Sequence, residues 1–188
     1  MARVRWWGTG LVALVLFVLG AGLPLIDTAL GSGAKPLMAG TVLSVGTRRD
    51  GVRPVAFAVP SRGWSLDRAR TSLASNIELS NAEVGFSVSI VVPLAPVDAR
   101  DLWDGLGRIV AVGGRSRLHA QPVPITTAHG LTGLTGRLAG RERAGVATVF
   151  ATRTLGATVT ASGPPGAYRR LAAEVEAMVR TITISAPS

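Results

Sequence analysis

The pattern of apolar and polar positions divides the chain into a continuous apolar head and an alternating body. Residues 6–26, WWGTGLVALVLFVLGAGLPLI, run without a charge. As a helix at about 1.5 Å per residue they span roughly 31 Å, the thickness of a bilayer's hydrocarbon core. Arg3 and Arg5 precede the stretch and Asp27 follows it. The pattern predicts one transmembrane helix whose basic N-terminus stays in the cytoplasm and whose C-terminal side is exported. Trp6 and Trp7 fit the interfacial aromatic belt, and Leu11, Leu14, Leu16, Phe17, Leu19, Leu23, Leu25 and Ile26 fill the apolar span. The alternative is a cleaved signal peptide with its core at Leu11–Leu19 and a small-x-small site at Ser32-Gly33-Ala34, which would release a secreted chain near Ala34.

Residues 27–38 are small and polar and contain Pro36, the composition of a linker. An exported domain is expected over 39–188, and its first half alternates with a period of two. GTVLSVG (40–46) and PVAFAVP (54–60) read as strands, the second with Val55, Phe57 and Val59 on one face. Arg48-Arg49-Asp50-Gly51 between them suits a hairpin turn. PSRGWSLD (60–67) reads as a loop with Trp64 as its anchor, and 68–83 favours no element. EVGFSVSIVV (83–92) is the clearest strand, with Val84, Phe86, Val88, Ile90 and Val92 on one face and small residues on the other.

The period then changes. Residues 97–114 read as a helix with Asp98 as N-cap, Asp101 in the first turn, Gly113-Gly114 as its end and a stripe of Leu102, Leu106, Ile109 and Val110. Strands follow at roughly 123–128, 131–138, 146–152 and 157–161, joined by polar loops at 140–145 and 153–156. The last helix, 164–180, has prolines at its start and an apolar stripe of Tyr168, Leu171, Ala172, Val175, Met178, Val179 and Ile182. TITI (181–184) reads as a closing strand or a tail. The expected class is α+β: an antiparallel sheet of about six strands with two packed helices, behind one N-terminal transmembrane helix.

The stretch GLTGLTG (130–136) repeats glycine at every third position. A phosphate-binding P-loop needs GxxxxGK[ST], and this stretch has no lysine. A dinucleotide fingerprint needs GxGxxG between a strand and a helix, whereas the spacing here is GxxGxxG and a hairpin follows. The strand reading accounts for more. Its glycines let the strand bend, or let a helix pack closely on the sheet.

Composition narrows the chemistry. There is no cysteine among the 188 residues, which excludes disulfides, thiolate metal sites and a lipid-modified cysteine anchor. His119 and His129 are the only histidines, at no metal-ligand spacing, so no metal and no cofactor is expected. Asp98, Asp101 and Asp104 share one side of the first helix, but Arg100 and Arg108 flank Asp104 at i−4 and i+4, which favours an ion-paired surface over acid–base chemistry. No G-x-S-x-G elbow is present. The formal charge is +9 and Lys35 is the only lysine, so arginine carries the basic surface. Arg115, Arg117, Arg141, Arg143 and Arg153 fall in or beside predicted loops and are candidate contacts to an anionic surface. The aromatics lie on predicted core faces instead of alternating with the arginines, which argues against nucleic acid.

The order of features also carries a resemblance. VPSRGW after a strand, VSIVV leading to a helix with LW, ITTAHGLTG, a meander with GVATVFA and the closing helix EVEAMVRTI resemble small exported or membrane-anchored actinobacterial proteins whose domains have a Mog1/PsbP-like α/β sandwich, including LpqN-type lipoproteins. The absent lipobox cysteine departs from the lipoprotein members. The resemblance implies a binding or assembly factor and not an enzyme. The expectation is therefore a non-enzymatic, membrane-anchored envelope domain whose partners are the membrane and an envelope protein or an anionic polymer or lipid. The alternatives are an enzyme acting on cell wall or lipid through Asp98, Asp101 or His129, and an accessory subunit of a membrane complex.

Overall fold

The computed structural model describes residues 34–188 except 49–50, 94–95, 114–115, 120 and 186–188. The expected span at 6–26 lies outside the described residues, and among those described no helix is long and apolar enough to cross a membrane. Lys35–Ser188 forms one compact unit.

Twelve strands and two helices are present among the described residues. In chain order they are β1 (Ala34–Pro36), β2 (Val42–Val45), β3 (Val55–Ala58), β4 (Ser65–Asp67), β5 (Asn76–Asn81), β6 (Val84–Val91), α1 (Ala99–Val112), β7 (Ser116–Leu118), β8 (Val123–Thr126), β9 (Thr132–Gly140), β10 (Ala144–Ala151), β11 (Gly156–Gly163), α2 (Pro165–Arg180) and β12 (Thr183–Ile184). Nine strands form one sheet in the order β1-β4-β5-β6-β11-β10-β9-β7, with β8 also paired to β9. A second sheet has the order β12-β3-β2. The α+β class and the two helices are as expected. The sheet is larger than the expected six strands, and β2 and β3 leave it to pair with β12 (Thr183↔Ala56, Ile184↔Val55). The second half of TITI, Thr183–Ile184, is thus a closing strand, while Thr181 caps α2.

The main core lies between the large sheet and a layer made of the small sheet and α2. It holds Val55, Phe57 and Val59 from β3 and its end, Ile77 and Leu79 from β5, Val84, Phe86 and Val88 from β6, Val159 from β11, and Val175, Met178, Val179 and Ile182 from α2 and its exit. The β3, β6 and α2 members are the alternating and helical stripes read from the sequence. Phe86 stands at its centre, 5.5 Å from Phe57 and 6.1 Å from Trp64 between ring centroids. A second core lies on the opposite face of the sheet, where Leu102, Trp103 and Leu106 of α1 meet Ala147 and Val149 of β10.

Several positions differ from the expectation. The ambiguous stretch 68–83 contains β5, whose alternation of Ile77 and Leu79 is only two residues deep. β4 occupies what reads as a loop, and β1 lies within the expected linker, followed by buried Leu37. Val92 does not continue the β6 face: the strand ends at Val91 and Val92 is 72% exposed. On α1 the inward side is Leu102, Trp103, Leu106 and Val110, while Ile109 is 72% exposed. The inward side thus differs from the expected stripe only in having Trp103 and not Ile109. The helix start is as read: Asp98 accepts from the N–H groups of Arg100 and Asp101, and Asp101 closes a capping box.

The three glycines of GLTGLTG resolve separately. Gly130, at φ +79°, turns the β8–β9 hairpin. Gly133 and Gly136 lie on opposite faces of β9, because a spacing of three changes the face of a strand. A Cβ on Gly133 would lie 2.5 Å from the Phe150 ring on the main-core side, and one on Gly136 would lie 2.6 Å from the Trp103 indole on the α1 side. The repeat admits one large aromatic on each face of the same strand.

Candidate functional site

An open cleft of ≈ 890 Å³ lies where β7, the β9–β10 hairpin and the start of α2 meet. Its wall is Ser116 and Arg117 from β7, Ala139 and Gly140 from β9, Arg141, Glu142 and Arg143 from the hairpin turn, and Pro164 before α2. Three of the five arginines singled out in the sequence therefore converge on one site with a single carboxylate among them. Arg153 does not join them, because it sits in the β10–β11 turn at the opposite end of β10. Arg115 lies outside the described residues.

Register builds the cluster. β7 pairs with the end of β9 (Ser116↔Gly140, Arg117↔Ala139), which puts Arg117 beside the hairpin turn. Gly140 N–H donates to the Arg143 carbonyl at 2.8 Å and closes that turn. β10 and β11 pair so that Ala144 faces Gly163 and Gly145 faces Ser162, which brings Pro164 and the start of α2 to the same place. Arg143 is held there: its Nη2 donates to the Ser162 carbonyl at 2.8 Å and to Ser162 Oγ at 3.1 Å. The other two guanidiniums stand in solvent, and no ion pair within 4.0 Å engages Arg117, Arg141 or Arg143 among the described residues. Glu142, Ser162 and Pro164 were not singled out in the sequence. Register alone could have found them. The observed β10–β11 turn closes between Thr152 and Leu155, one position before the expected loop, and that position decides what faces Arg143.

The remaining candidates are dispersed. His119, at the end of β7, and His129, in the β8–β9 turn, are both exposed. Asp98 and Asp101 are engaged in the α1 capping box, and Asp104 pairs with Arg100 at 3.8 Å. Among the described residues no three His, Cys, Asp or Glu side chains are grouped to hold a metal. Half-buried Glu174 of α2 accepts from the Trp64 indole Nε1 at 2.9 Å and from the Ser61 hydroxyl. These bonds fasten the 60–64 loop to α2. Their partners are consumed within the fold.

The chemistry available at the cleft is recognition. Guanidinium forks match carboxylate and phosphate oxygens two at a time, and a concave exposed wall lets several engage one anion or a surface of anions.

No family model matches the chain, and no curated protein matches it in sequence. Its fold does match solved structures. Cyanobacterial PsbP from Synechocystis superposes with a TM-score of 0.53 at 16% identity, over 77% of this chain and 93% of that one. The Saccharomyces cerevisiae Ran-binding protein Mog1p superposes with a TM-score of 0.51 at 11% identity, over 79% of this chain and 96% of that one. At these identities the likeness is one of architecture, and the domain has a Mog1/PsbP-like fold.

Proposed function

We propose that this protein is a non-enzymatic binding or accessory domain of the cell envelope, held on the outer side of the cytoplasmic membrane by residues 6–26 and related to the small actinobacterial LpqN-type proteins. The observation that carries the binding role is the convergence of Arg117, Arg141 and Arg143 on one cleft. The fold supports it by analogy, since Mog1p is by name a Ran-binding protein. The uncharged N-terminal stretch with its flanking arginines supports the anchored, single-pass topology. The partner is then an envelope protein or an anionic envelope polymer or lipid within linker reach of the bilayer.

The test combines fractionation with site-directed photo-crosslinking in intact cells. A full-length mass in carbonate-washed membranes is expected, with an adduct formed from a photoreactive residue at Ala139 and not from one at Thr154. A chain starting near Ala34 in the soluble fraction would contradict the anchor. Equal labelling from both positions would contradict the cleft as the binding site.

A further inference from the structure

Among the described residues five strands stand at a sheet edge: β1, β7 and β8 in the large sheet, β12 and β2 in the small one. An exposed edge invites pairing with another chain, and folds guard it with proline, charge or brevity. Four of these edges are guarded. β1 carries Lys35 and Pro36, β7 carries Arg117, β8 carries Pro124, and β12 is 2 residues long. β2, Val42-Leu43-Ser44-Val45, has neither charge nor proline. Its outer side is apolar as well: Val42 is 67% exposed, and Met38, in the turn before it, is 71% exposed.

Register shows which groups of β2 are open. Ser185 N–H donates to the Pro54 carbonyl at 2.7 Å, so the even positions of β3 bond toward β12 and the odd ones toward β2. Phe57 faces Leu43 and Val55 faces Val45. Leu43 and Val45 therefore bond inward, and the N–H and C=O groups of Val42 and Ser44 point outward. Among the described residues these outward groups have no backbone partner. The next outward position, Gly46, is closed: its N–H donates to the Leu73 carbonyl at 2.8 Å, and its carbonyl accepts from Arg53. At the other end Gly40, at φ +79°, turns the chain away. The open run is Val42 to Ser44.

That length selects the occupant. A long foreign strand would run into the Leu73 carbonyl and the Arg53 side chain. A second β2 laid antiparallel would not, because its own chain turns away at Gly40 where the first edge closes at Gly46. The pairing is self-complementary about a two-fold axis. Val42 exchanges hydrogen bonds with the partner's Ser44, Ser44 with the partner's Val42, and Leu43 stands opposite the partner's Leu43. Leu43 packs against the core yet is only half-buried, and its copy would cover it. The antiparallel arrangement also sends the two Arg53 side chains to opposite ends of the seam.

We infer that two copies of this protein associate edge to edge through β2, joining their small sheets into one continuous antiparallel sheet. The seam is short, so the dimer is a transient one. It is independent of the arginine cleft, which lies on the large sheet.

The experiment uses the purified full-length protein, which has no native cysteine. Single cysteines are introduced at Leu43 and, as a control, at Val123 on the guarded edge strand β8. Residues directly opposite in an antiparallel pair have Cβ atoms about 4.5–5.5 Å apart, so two thiols at position 43 meet across the axis. Copper-catalysed oxidation should link Leu43→Cys into dimers several-fold faster than Val123→Cys. Adding Val42→Lys, at an exposed position, puts a charge on the seam and should bring the rate down to the control level with thermal unfolding unchanged. Equal rates at 43 and 123, or a rate at 43 that Val42→Lys leaves as it was, would overturn the inference. So would a Leu43→Cys chain that stays monomeric when purified but cross-links to a different protein in whole cells, which would assign the edge to a foreign strand. Should Leu43→Cys itself lower the unfolding temperature, an equal mixture of Val42→Cys and Ser44→Cys chains replaces it. Mixed dimers should then exceed either like dimer, and no such excess overturns the inference.

Discussion

The indole of Trp103 occupies the space that a side chain at position 136 would need: a Cβ there would lie 2.6 Å from Cη2 and 2.9 Å from Cζ2. Gly136→Ala should therefore overpack the α1 face and cost about 1–3 kcal/mol. Since the obstruction is a side chain, trimming Trp103 relieves it. Trp103→Ala alone removes a buried aromatic at about 3–5 kcal/mol, and the double variant should be markedly less destabilised than the sum. Denaturant midpoints of the two single variants and the double variant measure the coupling.

Gly133 should behave differently. A Cβ there would lie 2.2 Å from the Val149 carbonyl oxygen as well as 2.5 Å from the Phe150 ring. The first obstruction is backbone, so Gly133→Ala should destabilise and Phe150→Ala should not rescue it. Additive losses in the double variant are the expected outcome, and rescue comparable to that at 136 would contradict it.

Glu174 joins the 60–64 loop to α2. Glu174→Ala leaves the buried Trp64 indole N–H without its acceptor and should cost about 1–3 kcal/mol. Glu174→Gln keeps an acceptor oxygen and should lose less. Thermal unfolding of the two variants separates a hydrogen-bonding role from a merely space-filling one.

The α1 aspartates distinguish a structural role from a catalytic one. Asp98→Ala should cost about 1 kcal/mol through loss of the N-cap, whereas Asp104→Ala removes only an exposed pair and should change stability by a few tenths at most. Loss of an activity on cell-wall or lipid substrates with unchanged stability in Asp98→Ala would favour the enzyme alternative.

Tyr168 is the only tyrosine, so its ionisation can be followed by absorbance. Burial raises its pKa above the usual 10.0, and the nearby Glu176 carboxylate adds to the rise. The folded state therefore holds the proton more tightly than the unfolded chain. Its contribution to stability is intact below pH 10.0 and is lost as pH climbs through the folded value. Tyr168→Phe should remove this part of the alkaline loss of stability, and the wild-type tyrosinate midpoint should lie above 10.0.

Local periodicity by itself determined the central strands β3, β6, β8, β9, β10 and β11, both helices, the Asp98 cap and the class of the fold. In β3, β6, β10, β11 and the two helices, one face buries enough regularly spaced apolar side chains for the pattern to show, whereas β8 is mostly exposed and is held by its pairing to β9. Tertiary structure decided what local pattern could not carry. β4 and β5 are stabilised by pairing to neighbours more than by their own short alternation. β2, β3 and β12 form a separate sheet because Thr183 and Ile184 return across more than 120 residues to pair with β3. Trp103 turns inward, and Ile109 outward, because Gly136 leaves room for the indole on the facing strand. The arginines were legible as basic loop residues. Their gathering was not, since it depends on the register of β7, β9, β10 and β11, and a register is a relation between separate segments. The same register separates Arg153 from Arg143 by the length of β10 and places Pro164 and Ser162 beside the cluster.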